Sequence, residues 1–375
     1  MDDLHDILAL ADELSDGESA AMATVVDLQG SAYRHPGARM LVKRGGGSAG
    51  MISGGCLEND VRKHATSVLS NSKPLLLTYD STASGDIVFG MGLGCNGVVR
   101  ILIEPLFPGD PHGLLPFLKE CQRGSVPGRM ATVFHSEAVF PAISPGRRIQ
   151  QWPDGQITAN FENTAVGDLL SGSPYFASGK RAAVRDVPLP SGGSLRVLFE
   201  TVTAPIPLVI FGGGEDAMPL VSFAKQLGRH ITVIDSRPGY ALPERFPEAD
   251  AVLCLRPDTL PASLFSSRPQ VVVMTHHYNQ DKEVLLALIP CAPRYIGLLG
   301  PKDRTGRLLG ELASDGIVFS EQTLAALHGP AGLDIGAETP AQIALSILAE
   351  MQALITGHAG GSLCRREGGI HEIKA

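Results

Sequence analysis

The sequence has no excess of positive charge. Its 31 Lys and Arg stand against 39 Asp and Glu, a formal net charge of −8, which argues against nucleic acid as the main partner because such sites need a basic surface. It has no run of about 18 apolar residues, so no membrane-spanning helix is expected. Its first residues, MDDLHDILALADELSDGES, are acidic, unlike the basic start of a secretory signal. They read instead as an amphipathic helix with Leu4, Ile7, Leu8 and Leu14 turned inward. None of the six cysteines (Cys56, Cys95, Cys121, Cys254, Cys291 and Cys364) belongs to a Cys-x-x-Cys pair, which argues against a zinc ribbon. Without a secretory signal, all six are expected as free thiols in a reducing cytoplasm.

What is present is the composition of a globular protein, with 44% apolar and 19% charged residues in a chain of 375. That length exceeds one ordinary core and suggests two domains. The first hundred residues read as strands at 21–28, 38–43, 48–53, 74–79 and 98–106 with a helix at 57–69, whose Leu57, Val61, Ala65 and Val68 share one face. A helix is expected over 113–124, and short apolar runs follow to a last strand at 194–203. After Pro207 the rhythm changes to continuous apolar strands alternating with helices, which implies a parallel sheet covered on both faces. The last helix has a strong start: Thr339 as N-cap, Pro340 at N1 and Gln342 completing a capping box. The expected architecture is α/β: an N-terminal α+β domain over 1–204, a Rossmann-like doubly wound domain over 205–357, and a mobile tail over 358–375.

Two regions carry chemistry. The stretch SGGCLENDV (53–61) places Cys56 after Gly54 and Gly55 at what reads as a helix start, where the macrodipole favours a thiolate. GSAYRHPGARM (30–40) supplies Arg34 and Arg39, and GMGLGCNG (90–97) a second thiol, Cys95, in a second glycine-rich loop. Exposed backbone N–H groups and arginines suit an anion; thiolates suit a soft metal. Cys56 and Cys95 are therefore the candidate metal ligands, with Glu58 beside them. In the second domain Gly212-Gly213-Gly214-Glu215-Asp216-Ala217 fits G-x-G-x-x-A after a strand, and Asp235 closes the next strand where a ribose-binding acid would sit. A turn made tight for packing alone fits the same residues. Glu215 and Asp216 at that helix start repel a phosphate, so the anionic ligand is expected at the first-domain loops.

GSAYRHPGARMLV, GMISGGCLEND and GMGLGCNGVVRILIEPL resemble the first domain of the xanthine dehydrogenase accessory factors, the XdhC/CoxI family. LVIFGGGEDAMPLVSFAKQLGRHITVIDSRP, MTHHYNQDKEVLLALI, YIGLLGPKDRTGRL and GLDIGAETPAQIALSILAEM resemble its C-terminal Rossmann domain. The resemblance covers nearly the whole chain and is weakest over 107–195. It implies a cofactor-insertion chaperone: a protein that binds molybdenum cofactor (molybdopterin) transiently, supports its sulfuration and delivers it to an apo molybdenum hydroxylase such as xanthine dehydrogenase. It also implies a cysteine desulfurase-type sulfur donor as partner, and a homodimer. Two departures fall in the Rossmann half: Glu215 stands where the family usually has histidine, and Leu-Gly-Pro-Lys-Asp-Arg, with Pro301 and Asp303, replaces Leu-Gly-Ser-Arg-Arg. A competing reading is an NAD(P)-dependent oxidoreductase with Cys56 or His276 near the substrate. His276 and His277 fall at the end of a strand, where ligands sit in such sheets.

Overall fold

The computed structural model describes residues 3–14, 18–30, 33–81, 97–107, 109–124, 126–137, 143–179 and 181–366. Two compact units divide the chain, Met1–Ala204 and Pro205–Ala375.

The first unit holds two five-stranded sheets built to one plan. The order of elements is α1 (Asp3–Asp12), β1 (Ala20–Gly30), β2 (Arg39–Lys43), β3 (Ser48–Gly50), α2 (Glu58–Asn71), β4 (Leu75–Asp80) and β5 (Gly97–Leu106). It then repeats as α3 (Leu114–Arg123), β6 (Gly128–Ser136), β7 (Arg148–Gln151), β8 (Ile157–Ala159), α4 (Thr164–Ser171), α5 (Pro174–Ala177), β9 (Ala182–Pro188) and β10 (Ser194–Val202). The strand orders β3-β2-β1-β5-β4 and β8-β7-β6-β10-β9 correspond term by term, and every pairing is antiparallel. Each sheet is bulged once in its first strand, at Val26 in β1 and Phe134 in β6, where one residue is skipped in the register. A bulge re-aims a side chain. Val26 and Phe134 both enter a small buried cluster with Leu102 and Leu198, one residue from each of β1, β6, β5 and β10.

The same-plan sheets are also tied crosswise. Arg39, first residue of β2, pairs with Glu200 on β10, and Arg148, first residue of β7, pairs with Glu104 on β5. Ahead of each arginine a glycine with positive φ, Gly37 or Gly146, gives its carbonyl to the guanidinium. A methyl at Gly37 would lie 2.8 Å from Glu200 Oε1, so glycine is needed for the loop to lie on that pair.

The expected strand at 48–53 stops at Gly50. That residue has φ +85 and no room for a side chain, since a methyl would lie 2.4 Å from the Arg39 carbonyl oxygen. Residues 51–57 turn instead around the Glu58 carboxylate. Cys95 and the rest of the 90–96 loop lie outside the described residues, as does the tail from 367 onward.

The second unit is a six-stranded, all-parallel sheet in the order β13-β12-β11-β14-β15-β16, the Rossmann arrangement. Its elements are β11 (Pro207–Phe211), α6 (Ala217–Gln226), β12 (His230–Asp235), β13 (Ala251–Cys254), β14 (Gln270–Val273), α7 (Tyr278–Leu288), β15 (Tyr295–Leu298), α8 (Lys302–Ser314), α9 (Glu321–Ala326), β16 (Leu327–His328) and α10 (Pro340–Thr356). Alternate residues of β11 serve opposite layers. Leu208 and Ile210 pack with α6 and α10, whereas Val209 and Phe211 pack with α7 and α8. The capping box of α10 is formed as expected, with the Gln342 N–H donating to Thr339 Oγ1 and the Gln342 side chain accepting from the Thr339 N–H.

Candidate functional site

The SGGC loop is organised by one carboxylate. Glu58 opens α2, and its two oxygens accept the N–H groups of Ile52 (3.2 Å), Ser53 (2.9 Å), Gly54 (3.3 Å) and Gly55 (2.9 Å), together with the Ser53 hydroxyl. Burial alone would raise the Glu58 pKa. The hydrogen bonds from Ser53 and its neighbours outweigh burial and hold the carboxyl below its ordinary 4.5. The N–H groups that the sequence offered to a ligand anion are thus taken by the protein's own acid. Gly54 and Gly55, at φ +101 and +115, supply the left-handed conformations that aim those groups inward.

Cys56 sits one residue before the N-cap, Leu57, and is half-buried. It lines a small recess with Tyr33, Arg34, Ser53, Tyr79 and Ser81. The Tyr33 ring lies against Gly54, where an added methyl would be 3.1 Å from the ring. Tyr79 donates to Asp60 at 2.7 Å; burial and that carboxylate push its phenol pKa upward. Ser81 and Gly97, which flank the segment that carries Cys95, both line this recess. They are joined by the Ser81 N–H to Gly97 carbonyl bond at 3.0 Å and by two bonds through Ser81 Oγ. The structure therefore brings Arg34, Cys56 and the root of the second cysteine loop to one place.

Arg39 is held by an acid of the chain itself. It is buried, its Nη2 bonded to both Glu200 oxygens at 2.9 and 2.7 Å and its Nη1 to the Gly37 carbonyl at 3.0 Å. It lines a second recess, of about 50 Å³, shared with Arg34 and with Arg181, the residue just before β9. A hollow of about 330 Å³ around Arg148 and Glu104 is the counterpart of that recess. Its charge is balanced, with Arg147 and Arg148 against Glu104 and Asp110.

The glycine turn of the second unit is filled from within. A methyl at Gly212 would meet the Met274 carbonyl oxygen at 2.3 Å, and one at Gly213 the Tyr240 carbonyl oxygen at 2.6 Å. Asp235 accepts the Gly213 N–H (2.8 Å), the Arg237 N–H (2.8 Å) and both Nε (3.0 Å) and Nη2 (2.8 Å) of the Arg237 guanidinium. Burial opposes its charge, but these bonds outweigh it and hold the carboxyl below its usual 3.8. Arg237 in turn stacks on Tyr240 at 3.7 Å. Glu215 pairs with Arg245 at 2.9 Å, and Asp216 with His276 at 2.6 Å. His277 caps α7 through the Gln280 N–H. Gly214 faces Asp216, whose Oδ1 would lie 2.6 Å from an added methyl. Pro301 becomes the N-cap of α8, where Arg304 reaches back to the buried Asp281 at 2.6 Å. Among the described residues no group of three or more His, Cys, Asp or Glu is placed to hold a metal ion, and no helix is long and apolar enough to cross a membrane.

Sequence reasoning misses Arg181 and the Arg148–Glu104 pair. A signal for the pair is present: Pro-Gly-Ala-Arg at 36–39 recurs as Pro-Gly-Arg-Arg at 145–148.

Comparison with known proteins finds matches in both units. The profile described as the XdhC and CoxI family matches residues 14–80, and that of the XdhC Rossmann domain matches residues 208–351. A Bacillus subtilis protein, named as a probable subunit of xanthine dehydrogenase, is 30% identical over 341 residues, 90% of this chain and 94% of its own. An Escherichia coli protein named molybdenum cofactor insertion chaperone PaoD is 26% identical over 94% of this chain and 89% of its own. A crystal structure from Bacillus halodurans, described as a xanthine dehydrogenase, superposes with a TM-score of 0.74 at 28% identity. That match covers 97% of this chain and 98% of the other.

Proposed function

Because the chain belongs to the XdhC and CoxI family, we propose that it handles molybdenum cofactor on the way to a molybdenum hydroxylase of the xanthine dehydrogenase kind. It binds the cofactor as cargo, shelters it while the terminal sulfido ligand is installed, and passes it to the apo-enzyme. The observation that carries this reading is the alignment, along 94% of the chain, with a relative named as a molybdenum cofactor insertion chaperone. A cysteine desulfurase-type donor supplies the sulfur, and a second copy of the chain completes the working assembly.

The first unit supports the reading chemically. Cys56 offers a soft sulfur donor, Tyr33 an exposed ring (65%) on which a planar pterin stacks, and Arg34 a cation beside both. Glu58 keeps the loop in one conformation, so Cys56 is presented without ordering cost at binding. The Rossmann crest gives less support to an NAD(P) site, since Asp235 and the Gly213 N–H already satisfy each other.

The test is purification from cells making molybdenum cofactor, with bound pterin read by fluorescence and molybdenum by elemental analysis. The wild-type chain is expected to carry both, and Cys56→Ala to lose most of the metal. Wild-type protein free of pterin in cofactor-replete cells refutes the reading.

A further inference from the structure

The recess beside Arg39 differs from its structural counterpart in one respect that folding does not require. Both are built around one buried arginine–glutamate pair behind a Pro-Gly turn, Arg39–Glu200 in one and Arg148–Glu104 in the other. The pair is what the doubled scaffold needs. Around Arg39, however, the recess gains two further guanidinium groups, Arg34 and Arg181, and no further carboxylate. Two residues ahead of Pro145, where Arg34 stands ahead of Pro36, the chain has the buried Ile143. The second hollow instead offsets Arg147 with Asp110. The lining of this recess thus brings three guanidinium groups beside one carboxylate, which Arg39 already holds.

We infer that this recess, framed by Arg181, Arg34 and Arg39, is an oxyanion subsite that takes the phosphate ester of the cargo. The inference rests on the proposed cofactor-binding reading and extends it to Arg181. Three observations converge on it. The recess, about 50 Å³, admits several water-sized groups, the size of a tetrahedral oxyanion. Arg39, nine-tenths buried, lines it, and its Nε–H, like that of Arg148 in the counterpart hollow, has no acceptor among the described residues. Arg34 lines both this recess and the Cys56 recess. A ligand with a phosphate at one end and a metal–dithiolene at the other is therefore met by arginines at one end and a thiol at the other. Planar, bidentate guanidinium groups are the side chains suited to such an anion.

The experiment uses the full chain with three probes: inorganic phosphate, molybdate and an oxidised pterin phosphate, each titrated by calorimetry at low salt. Variants are Arg181→Ala, Arg181→Gln and, as control, Arg147→Ala in the counterpart hollow. Arg181 is exposed, and Trp152 fluorescence confirms that each variant is folded. Losing one charged contact is expected to raise Kd about tenfold for phosphate and for pterin phosphate, in both Arg181 variants and not in Arg147→Ala. Equal binding by wild type and both Arg181 variants overturns the subsite; if pterin phosphate still binds, the cofactor reading survives without it. Inorganic phosphate or molybdate binding that depends on Arg181, with no binding of pterin phosphate, upholds an oxyanion site but overturns its assignment to the cargo's ester.

Discussion

Arg39 reaches Glu200, 161 residues further along the chain, and one of its nitrogens holds both carboxylate oxygens at 2.9 and 2.7 Å. Both groups are buried, so the pair acts as a clasp between β2 and β10, and Arg148 with Glu104 is the matching clasp. Removing one member of a buried pair leaves an uncompensated charge, which costs about 3–5 kcal/mol. Arg39→Ala is therefore expected to lower the stability of the first unit by that amount, and Arg39→Met with Glu200→Leu to recover most of it. Urea unfolding followed by Trp152, the single tryptophan, reads that unit alone. A loss below about 1 kcal/mol for Arg39→Ala would show that the clasp is not what joins the sheets.

The Glu58 hub makes the Cys56 loop acid-sensitive. A carboxyl held below its unfolded value contributes stability that is present in full above that value and is lost as pH falls through the folded one. For Glu58 the window lies below 4.5. Glu58→Gln should remove this part of the pH dependence and cost about 1–3 kcal/mol at neutral pH, since its amide turns donors toward donors. Hydrogen exchange of the Gly54 and Gly55 amides checks it. Unchanged protection in Glu58→Gln at pH 7 would mean that the loop is held by something else.

Much of the fold is legible in the sequence because its signals are local. The apolar strands after Pro207, the glycine turn and the Thr339 capping box are all set by residues a few positions apart. The candidate site is legible only in part. Cys56, Arg34 and the root of the second glycine-rich loop share a recess, but the roles of Arg39, Glu58 and Asp235 depend on partners that spacing does not reveal. That Arg39 is already held by Glu200 shows only when the two are seen side by side. The N–H groups of Ser53 to Gly55 read as a free nest until the Glu58 side chain folds back over them. Strands β6 to β9 are hard to read because their apolar runs are short and broken by glycine, proline and serine. The repeated Pro-Gly-x-Arg spans only 36–39 and 145–148, too short to stand out without the sheets that give it meaning.

The thiols should separate by burial. Cys121, on the buried face of α3, is fully enclosed in the first unit's core, and burial pushes its pKa up to about 12. Cys254 and Cys364 are exposed, and Cys56 is half-buried. Brief iodoacetamide treatment at pH ~8, just below the free-thiol value, followed by peptide mass spectrometry, is expected to label Cys254 and Cys364 first and to leave Cys121 unmodified until the chain is unfolded. Early labelling of Cys121 would mean that α3 opens readily in the native protein.

The Rossmann crest yields the remaining prediction. In a dinucleotide site the acid that ends the second strand accepts ribose hydroxyls, and the turn's N–H groups meet a pyrophosphate. Here Asp235 already accepts four N–H groups, one of them from the turn itself, and the backbone of Tyr240 lies against Gly213. Bringing in a dinucleotide means breaking the Asp235–Arg237 pair, displacing Tyr240 and placing a phosphate near Glu215 and Asp216. Titration of NADH into the full chain is therefore expected to give no saturable change in nicotinamide fluorescence up to millimolar concentration. Arg237→Ala frees two Asp235 contacts but leaves the acids at the start of α6, so it should not create binding either. Saturable micromolar binding by the wild type, abolished in Asp235→Ala, would show that the crest opens to a dinucleotide and would restore the oxidoreductase reading.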